Sequence, residues 1–275
     1  MDYVYHVQYV PSQIVDLENN MRKLLIVLSL LCTILLNGCS KENDKLELTI
    51  FAASSLSETL TEIAELYQEV DSNVSLVFNF DSSGTLKTQI EEGADCDLFI
   101  SASFKQINEL EAYLEPSVDL LENKVTLAVS EDNPKNIQSY EDLVKALDTK
   151  DILLAVGNAD VPVGQYTQKI FAYYQLDEEA LSSSGCITYG SNAKEVTTQV
   201  AESVVDCGIV YKTDAYSANL KVVDEATLEM CGQVIYPAAV LEDSQNKEAA
   251  QAFLTYLRSE DASAVFEKVG FTFVK

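Results

Sequence analysis

Leu48 to Ser103, LTIFAASSLSETLTEIAELYQEVDSNVSLVFNFDSSGTLKTQIEEGADCDLFISAS, decides the fold. Leu46 to Ala52 alternates and then turns wholly apolar, the pattern of a strand in a helix-covered sheet. Behind Ser54-Ser55, the residues Leu56, Leu60, Ile63, Ala64 and Tyr67 recur at helical spacing, and Ser55 to Glu58 has the S-x-x-E form of a capping box, which predicts Ser55 as the N-cap. The unit then repeats. Val74 to Phe80 alternates as a strand, Asp81-Ser82-Ser83-Gly84 turns the chain, and Thr85 to Ile90 opens a helix. A third strand, Cys96 to Ile100, ends in Ser101-Ala102-Ser103. Serines cap helices for purely structural reasons. Helix N-termini also leave N–H groups unpaired and carry partial positive charge, so two that converge bind a small anion without a cation.

The same rhythm continues to the C-terminus. Phe104 to Tyr113 reads as a helix, Val125 to Val129 as a strand, Ser139 to Leu147 as a helix and Ile152 to Val156 as a buried strand. The loop Gly157 to Gly164 (GNADVPVG) leads into a helix over Gln165 to Tyr174, where Pro162 costs no hydrogen bond and the N–H of Val163 stays free. Ser191-Asn192-Ala193-Lys194-Glu195 opens another helix ahead of an apolar strand, Gly208 to Tyr211. Val234 to Leu241 is a strand with Pro237 inside it, expected at an edge or a bend. The helices Lys247 to Leu257 and Ala262 to Val269 precede a last strand, Phe271 to Val274. This alternation defines an α/β protein with a largely parallel sheet. Ligands of such sheets bind at the carboxyl ends of the strands.

Among 275 residues the formal charge is −26, which argues against nucleic acid as a partner, because phosphates demand Lys and Arg. For an anion binder the acidity is tolerable: beyond a Debye length of about 8 Å it is screened, and local donors decide affinity. Residues 22 to 39, RKLLIVLSLLCTILLNGC, join a basic start to an apolar run too short to span a bilayer comfortably and end at Gly38-Cys39. Leu36-Asn37-Gly38-Cys39 resembles the bacterial lipobox, which implies a signal peptide over residues 21–38, a lipid anchor on Cys39 and a tether over 39–45. Residues 1–20 precede that signal as an extension outside it, and they hold the only histidine, His6. The expected mature chain therefore has no histidine for a Ser-His-Asp triad, a Cys-His pair or a His-ligated zinc. Cys96, Cys186, Cys207 and Cys231 show no C-x-x-C spacing and stand either free or paired.

FAASSL (51–56), FDSSGTLKTQIEEGADCDLFISAS (80–103), DVPVGQY (160–166), GIVYKTDA (208–215) and AFLTYLRSEDASAVFEKVGFTF (252–273) together resemble the molybdate-binding proteins of bacterial ABC importers, in the same order from about Leu46 onward. The resemblance implies a two-lobed, type II periplasmic-binding-protein fold, with residues 46–123 and 236–275 in lobe 1 and 124–235 in lobe 2. It also implies an oxyanion site of the Ser55 and Ser83 hydroxyls, the Val163 and Ala193 backbone N–H groups and the Tyr211 hydroxyl. The implied ligand is molybdate or tungstate, with no cofactor, no bare metal ion and no catalysis. The implied partner is a membrane permease, served by a lipid-anchored, extracytoplasmic monomer. A ring of donors suits a dianion that keeps no proton, while hydrogen phosphate would face its own O–H into donors; sulfate differs by size. Binding of another oxyanion, sulfate or phosphate, is the alternative. An enzyme using Ser55 or Ser83 as nucleophile lacks histidine, G-x-S-x-G and a Walker sequence, which leaves only a Ser-Lys pairing through Lys87. Asp81 is expected to face away from the anion, and Lys194 either lends charge to the rim or is solvated.

Overall fold

The computed structural model describes residues 45–274. The extension, the signal, most of the tether and Cys39 lie outside the described residues.

The first sheet grows from the opening stretch. Strand β1 (Leu46–Ala53) passes through a single 3-10 turn (Ser54–Leu56) into α1 (Ser57–Val70) and returns as β2 (Val74–Asp81), parallel to β1 and in register with Ala53 opposite Asp81. Helix α2 (Ser83–Glu91) leads to β3 (Leu98–Ile100), parallel to β1 on its other side. After α3 (Phe104–Glu109), β4 (Val118–Asn123) completes this part of the sheet. Lys124 alone then carries the chain into β5 (Val125–Val129), the first strand of a second sheet.

That second sheet takes α4 (Tyr140–Asp148), β6 (Leu154–Gly157), α5 (Pro162–Tyr173), α6 (Glu178–Ser183), β7 (Ile187–Gly190), α7 (Ala193–Ala201), β8 (Cys207–Tyr211), α8 (Lys212–Ser217) and β9 (Lys221–Glu225), in strand order β7-β6-β8-β5-β9. Through α9 (Leu228–Cys231) the chain crosses back to the first sheet as β10 (Val234–Val240), followed by α10 (Lys247–Tyr256), α11 (Glu260–Val269) and β11 (Thr272–Phe273). The first sheet then reads β11-β4-β10-β3-β1-β2. Each sheet has a parallel half, β2-β1-β3 or β7-β6-β8, and an antiparallel half built on the strands that cross between sheets.

Packing follows the apolar spacing. Leu56, Leu60 and Ile63 are fully buried, each burial contributing about 1.5–3 kcal/mol. Tyr67 on α1 meets Phe253 edge-on at 5.0 Å and Tyr256 at 4.9 Å, which fastens the C-terminal α10 to the first sheet. Cys96, Cys186, Cys207 and Cys231 are free and buried.

One expectation is corrected, one is narrowed, and two strands are added. Ser55 is not an N-cap and the capping box does not form: α1 starts at Ser57 without a side-chain cap, because the Ser55 hydroxyl turns to Tyr236 and Glu58 pairs with Lys194. Of the two places expected for Pro237, an edge or a bend, the structure takes the second: β10 runs between β4 and β3, and the register shifts between Tyr236 and Pro237, where the N–H is missing. Strands β4 and β9 were not expected from the sequence, since Asp119, Glu122, Lys221, Asp224 and Glu225 interrupt their apolar pattern.

Candidate functional site: a donor-lined junction between the lobes

The five residues expected to bind an anion all lie where a strand gives way to a helical turn. Ser55 is in the turn after β1, Ser83 opens α2 after β2, Val163 is the second residue of α5 after β6, Ala193 opens α7 after β7, and Tyr211 ends β8. Parallel register aligns these ends within each sheet, with Ala53 opposite Asp81 and Gly157 opposite Gly190. Ser83 and Val163 have no exposed surface, Tyr211 retains 1% and Ala193 5%, while Ser55 is half-buried.

The backbone at three helix starts is left with free donors. In α2 the Ser82 hydroxyl accepts from Thr85 N–H (3.0 Å) and the Ser82 carbonyl from Leu86 N–H (3.0 Å), so Ser83 and Gly84 N–H find no acceptor among the described residues. In α5 the first backbone bond runs from Gln165 N–H to Val161 O (3.1 Å), leaving Val163 and Gly164 N–H. Gly164 is required there, because a Cβ would lie 2.2 Å from the carbonyl oxygen of Asn158. In α7 the Asn192 side chain accepts from Glu195 N–H (2.9 Å), and the Glu195 carboxylate accepts from Ser191 N–H (2.7 Å) and Oγ–H (2.6 Å). That closed cap leaves Ala193 N–H unpaired among the described residues. Buried N–H groups are rarely left without a partner, so such a set marks a place for an acceptor.

The hydroxyls add three donors. Ser83 Oγ accepts from Ala102 N–H (3.0 Å), which holds the oxygen and leaves its own proton to donate. Ser55 Oγ lies 2.9 Å from the Tyr236 hydroxyl. Tyr211 packs edge-on against Tyr236 (5.7 Å) and Tyr166 (6.4 Å), and its buried hydroxyl has no partner of hydrogen-bond geometry among the described residues. Burial, with Tyr236 beside it, pushes the Tyr211 phenol well above its ordinary range and keeps it protonated, a donor at any physiological pH.

The lobes meet around these groups. Lys194 on α7 pairs with Glu58 on α1, and that pairing, with Ser217 as a second donor, lowers the Glu58 carboxyl. The sequence left Lys194 open between rim charge and solvation; here it bridges the two lobes. Asp81 Oδ1 accepts from Ser82 N–H (2.7 Å), which commits that oxygen to the turn. Sequence reading missed Asp214, Asn123 and Tyr236. Asp214 lies in the GIVYKTDA stretch, is 5% exposed, and has an Oδ2 without a partner among the described residues. Burial raises its carboxyl to about 7, with Lys194 pulling it down and Glu58 pushing it up.

Two mixed sheets joined by two crossings, with helix N-termini and strand ends facing the junction, define a two-lobed binding protein of the periplasmic type. The chain belongs to the family of bacterial extracellular solute-binding proteins, whose pattern it matches over residues 48–272. It is 31% identical over 260 residues, 90% of this chain and 97% of the relative, to the "Putative ABC transporter substrate-binding lipoprotein YvgL" of Bacillus subtilis (strain 168). It is 32% identical over 235 residues, 82% of this chain and 90% of the relative, to the molybdate-binding protein ModA of Haemophilus influenzae. In structure it resembles the periplasmic molybdate-binding protein of Azotobacter vinelandii, with a TM-score of 0.72, 19% identity and coverage of 83% of this chain and 100% of that one.

Proposed function

We propose that this protein captures a fully deprotonated tetrahedral oxyanion, molybdate or tungstate, between its lobes and hands it to the membrane permease of an ABC importer without chemical change. The observation that carries the reading is the Tyr211 hydroxyl, fully buried beside Tyr236 and without a hydrogen-bond partner among the described residues. The ligand is held by the Ser55, Ser83 and Tyr211 hydroxyls and the Val163 and Ala193 N–H groups, all donors, with Gly84 and Gly164 N–H in reach of the same junction. Hydrogen bonds to a charged group contribute about 1.5–3 kcal/mol each, so such a set suffices for nanomolar affinity, about −12 kcal/mol, after association costs. Lobe 1 comprises residues 46–123 and 236–275, and lobe 2 residues 124–235. Cys39 carries a lipid anchor that keeps a monomer at the outer face of the membrane. The relatives named for molybdate support the ligand, and the relative named as a lipoprotein supports the anchor.

Isothermal titration of the purified protein with molybdate, tungstate, sulfate and phosphate tests the reading. Tight binding of the first two and silence from the others is the expected result. Tight binding of sulfate or phosphate alone would move the ligand assignment to that anion, and silence from all four would remove oxyanion capture.

A further inference from the structure

Behind Ser55 runs a buried chain of hydrogen bonds whose first member, Asn123, is oriented by the backbone. Asn123, the last residue of β4, accepts the Lys124 N–H on its Oδ1 at 2.8 Å. That settles the amide orientation and commits its two Nδ2 hydrogens outward, one to Thr213 Oγ1 (2.9 Å) and one to the Tyr236 hydroxyl (3.2 Å). Asn123, Thr213 and Tyr236 are 3%, 2% and 0% exposed, so water does not compete for these bonds. The Tyr236 oxygen is thereby an acceptor; either hydroxyl of the Ser55–Tyr236 pair (2.9 Å) could donate, but the Tyr211 hydroxyl beside them makes no bond of good geometry among the described residues, so Ser55 Oγ is the acceptor left within reach of the Tyr236 proton. Ser55 receives a hydrogen bond from behind. Its single proton is left free.

Without Asn123 the pair could equally run the other way, with Ser55 spending its proton on Tyr236 and turning only lone pairs outward, the wrong polarity for an anion. The chain is also assembled from both lobes: Asn123 and Tyr236 flank the two crossings between the sheets, and Thr213 lies on α8 of the second. Successive hydrogen bonds polarise one another, so the proton at the end of the chain is a stronger donor than that of an isolated serine.

We propose that Tyr236, oriented by Asn123, is a positioning residue that fixes Ser55 as a hydrogen-bond donor and thereby favours oxyanions without a proton over those that carry one. This rests on the oxyanion reading above. The two are separable, because wild-type titration tests that reading and a mutant cycle tests this one.

The experiment is a double-mutant cycle of Tyr236→Phe and Ser55→Ala, titrated with molybdate and with phosphate, with thermal melts to confirm folding. Each single change should weaken molybdate binding roughly tenfold or more, the loss expected for one hydrogen bond to a charge. The double variant should bind no more weakly than Ser55→Ala alone, because Tyr236 acts only through Ser55. Tyr236→Phe should also narrow the ratio of molybdate to phosphate affinity, which a purely structural loss would leave in place. Asn123→Asp, which turns an acceptor toward Tyr236 and reverses the chain, should weaken molybdate binding in the wild-type background and lose most of that effect beside Ser55→Ala. It also serves if Tyr236→Phe does not fold. Equal costs of Tyr236→Phe in both backgrounds, or no cost of Ser55→Ala in a wild type that binds molybdate, would overturn the proposal. A wild type that binds neither anion overturns it together with the reading beneath it.

Discussion

Gly84 and the carbonyl of Asp160 meet across the lobes so closely that a Cβ on Gly84 would stand 2.3 Å from the Asp160 oxygen. Gly84 belongs to the first turn of α2, and Asp160 to the loop that launches α5. Two helix starts, one from each sheet, are thus brought into van der Waals contact. The glycine is needed for that approach and not for any unusual backbone angle, since its φ is not positive.

Gly84→Ala should therefore separate folding from closure. Alanine favours a helix over glycine by about 1 kcal/mol, so the melting temperature should hold or rise. Oxyanion affinity should fall more than tenfold, because the lobes cannot reach the arrangement described. Small-angle scattering with ligand present should show a larger radius than wild type, and an unchanged radius and affinity would count against closure at this contact.

Tyr211→Phe removes a buried hydroxyl that has no hydrogen-bond partner among the described residues. Leaving such a group unpaired costs about 1–3 kcal/mol, so denaturant melts of the ligand-free variant should show equal or greater stability. Molybdate binding should weaken by about 1.5–3 kcal/mol. A variant that loses stability while keeping affinity would place Tyr211 in the core and outside the site.

Ser83→Ala should lose on both counts, in contrast. Its oxygen holds the buried Ala102 N–H, so stability should drop by about 1–3 kcal/mol alongside a binding loss of about 1.5–3 kcal/mol. Titration and melts on the same preparation distinguish the two effects.

Lys194→Ala breaks the pair with Glu58 that spans the lobes. Both side chains are about half exposed, at 49% and 52%, so the change in folding stability should be about 0–1 kcal/mol. Its signature should be salt dependence: a modest loss of affinity in dilute buffer that vanishes near molar salt, where the Debye length is about 3 Å.

Asp214 sets a pH dependence of stability. Its folded-state pKa of about 7 lies above the ordinary carboxylate value of 3.8, because burial disfavours the charge. Between those values the unfolded chain has lost this proton and the folded chain retains it, so this group's contribution falls as pH rises from about 4 to about 7 and levels off above. Asp214→Asn should be more stable relative to wild type at pH 7.5 than at pH 4.5. A difference that does not change across that window would mean Asp214 does not titrate there.

The sequence carried the strand-turn-helix rhythm because periodicity and turn chemistry act over a few residues. Leu56, Leu60 and Ile63 announced α1, and Ser139 and the Ser191–Glu195 stretch announced the helices that open there. The ordered match of motifs added the family. Where charge interrupted the pattern, as at Asp119 and Glu122 in β4 or Lys221 and Asp224 in β9, the strands were illegible, since their pairing partners and not their own residues make them strands.

The roles of individual hydroxyls belonged to tertiary structure alone. Ser55 looked like a cap three residues before Glu58, yet its partner is Tyr236, 181 residues away, and Glu58 finds Lys194 at a separation of 136. Local spacing cannot choose between a near partner and one delivered by another strand. Nor can it show that Tyr211 is left unpaired, that Asp214 is buried, or that Gly84 has room for no side chain. Each of those depends on how two sheets, connected only at Lys124 and through α9, come together, and that geometry is the sum of many distant contacts.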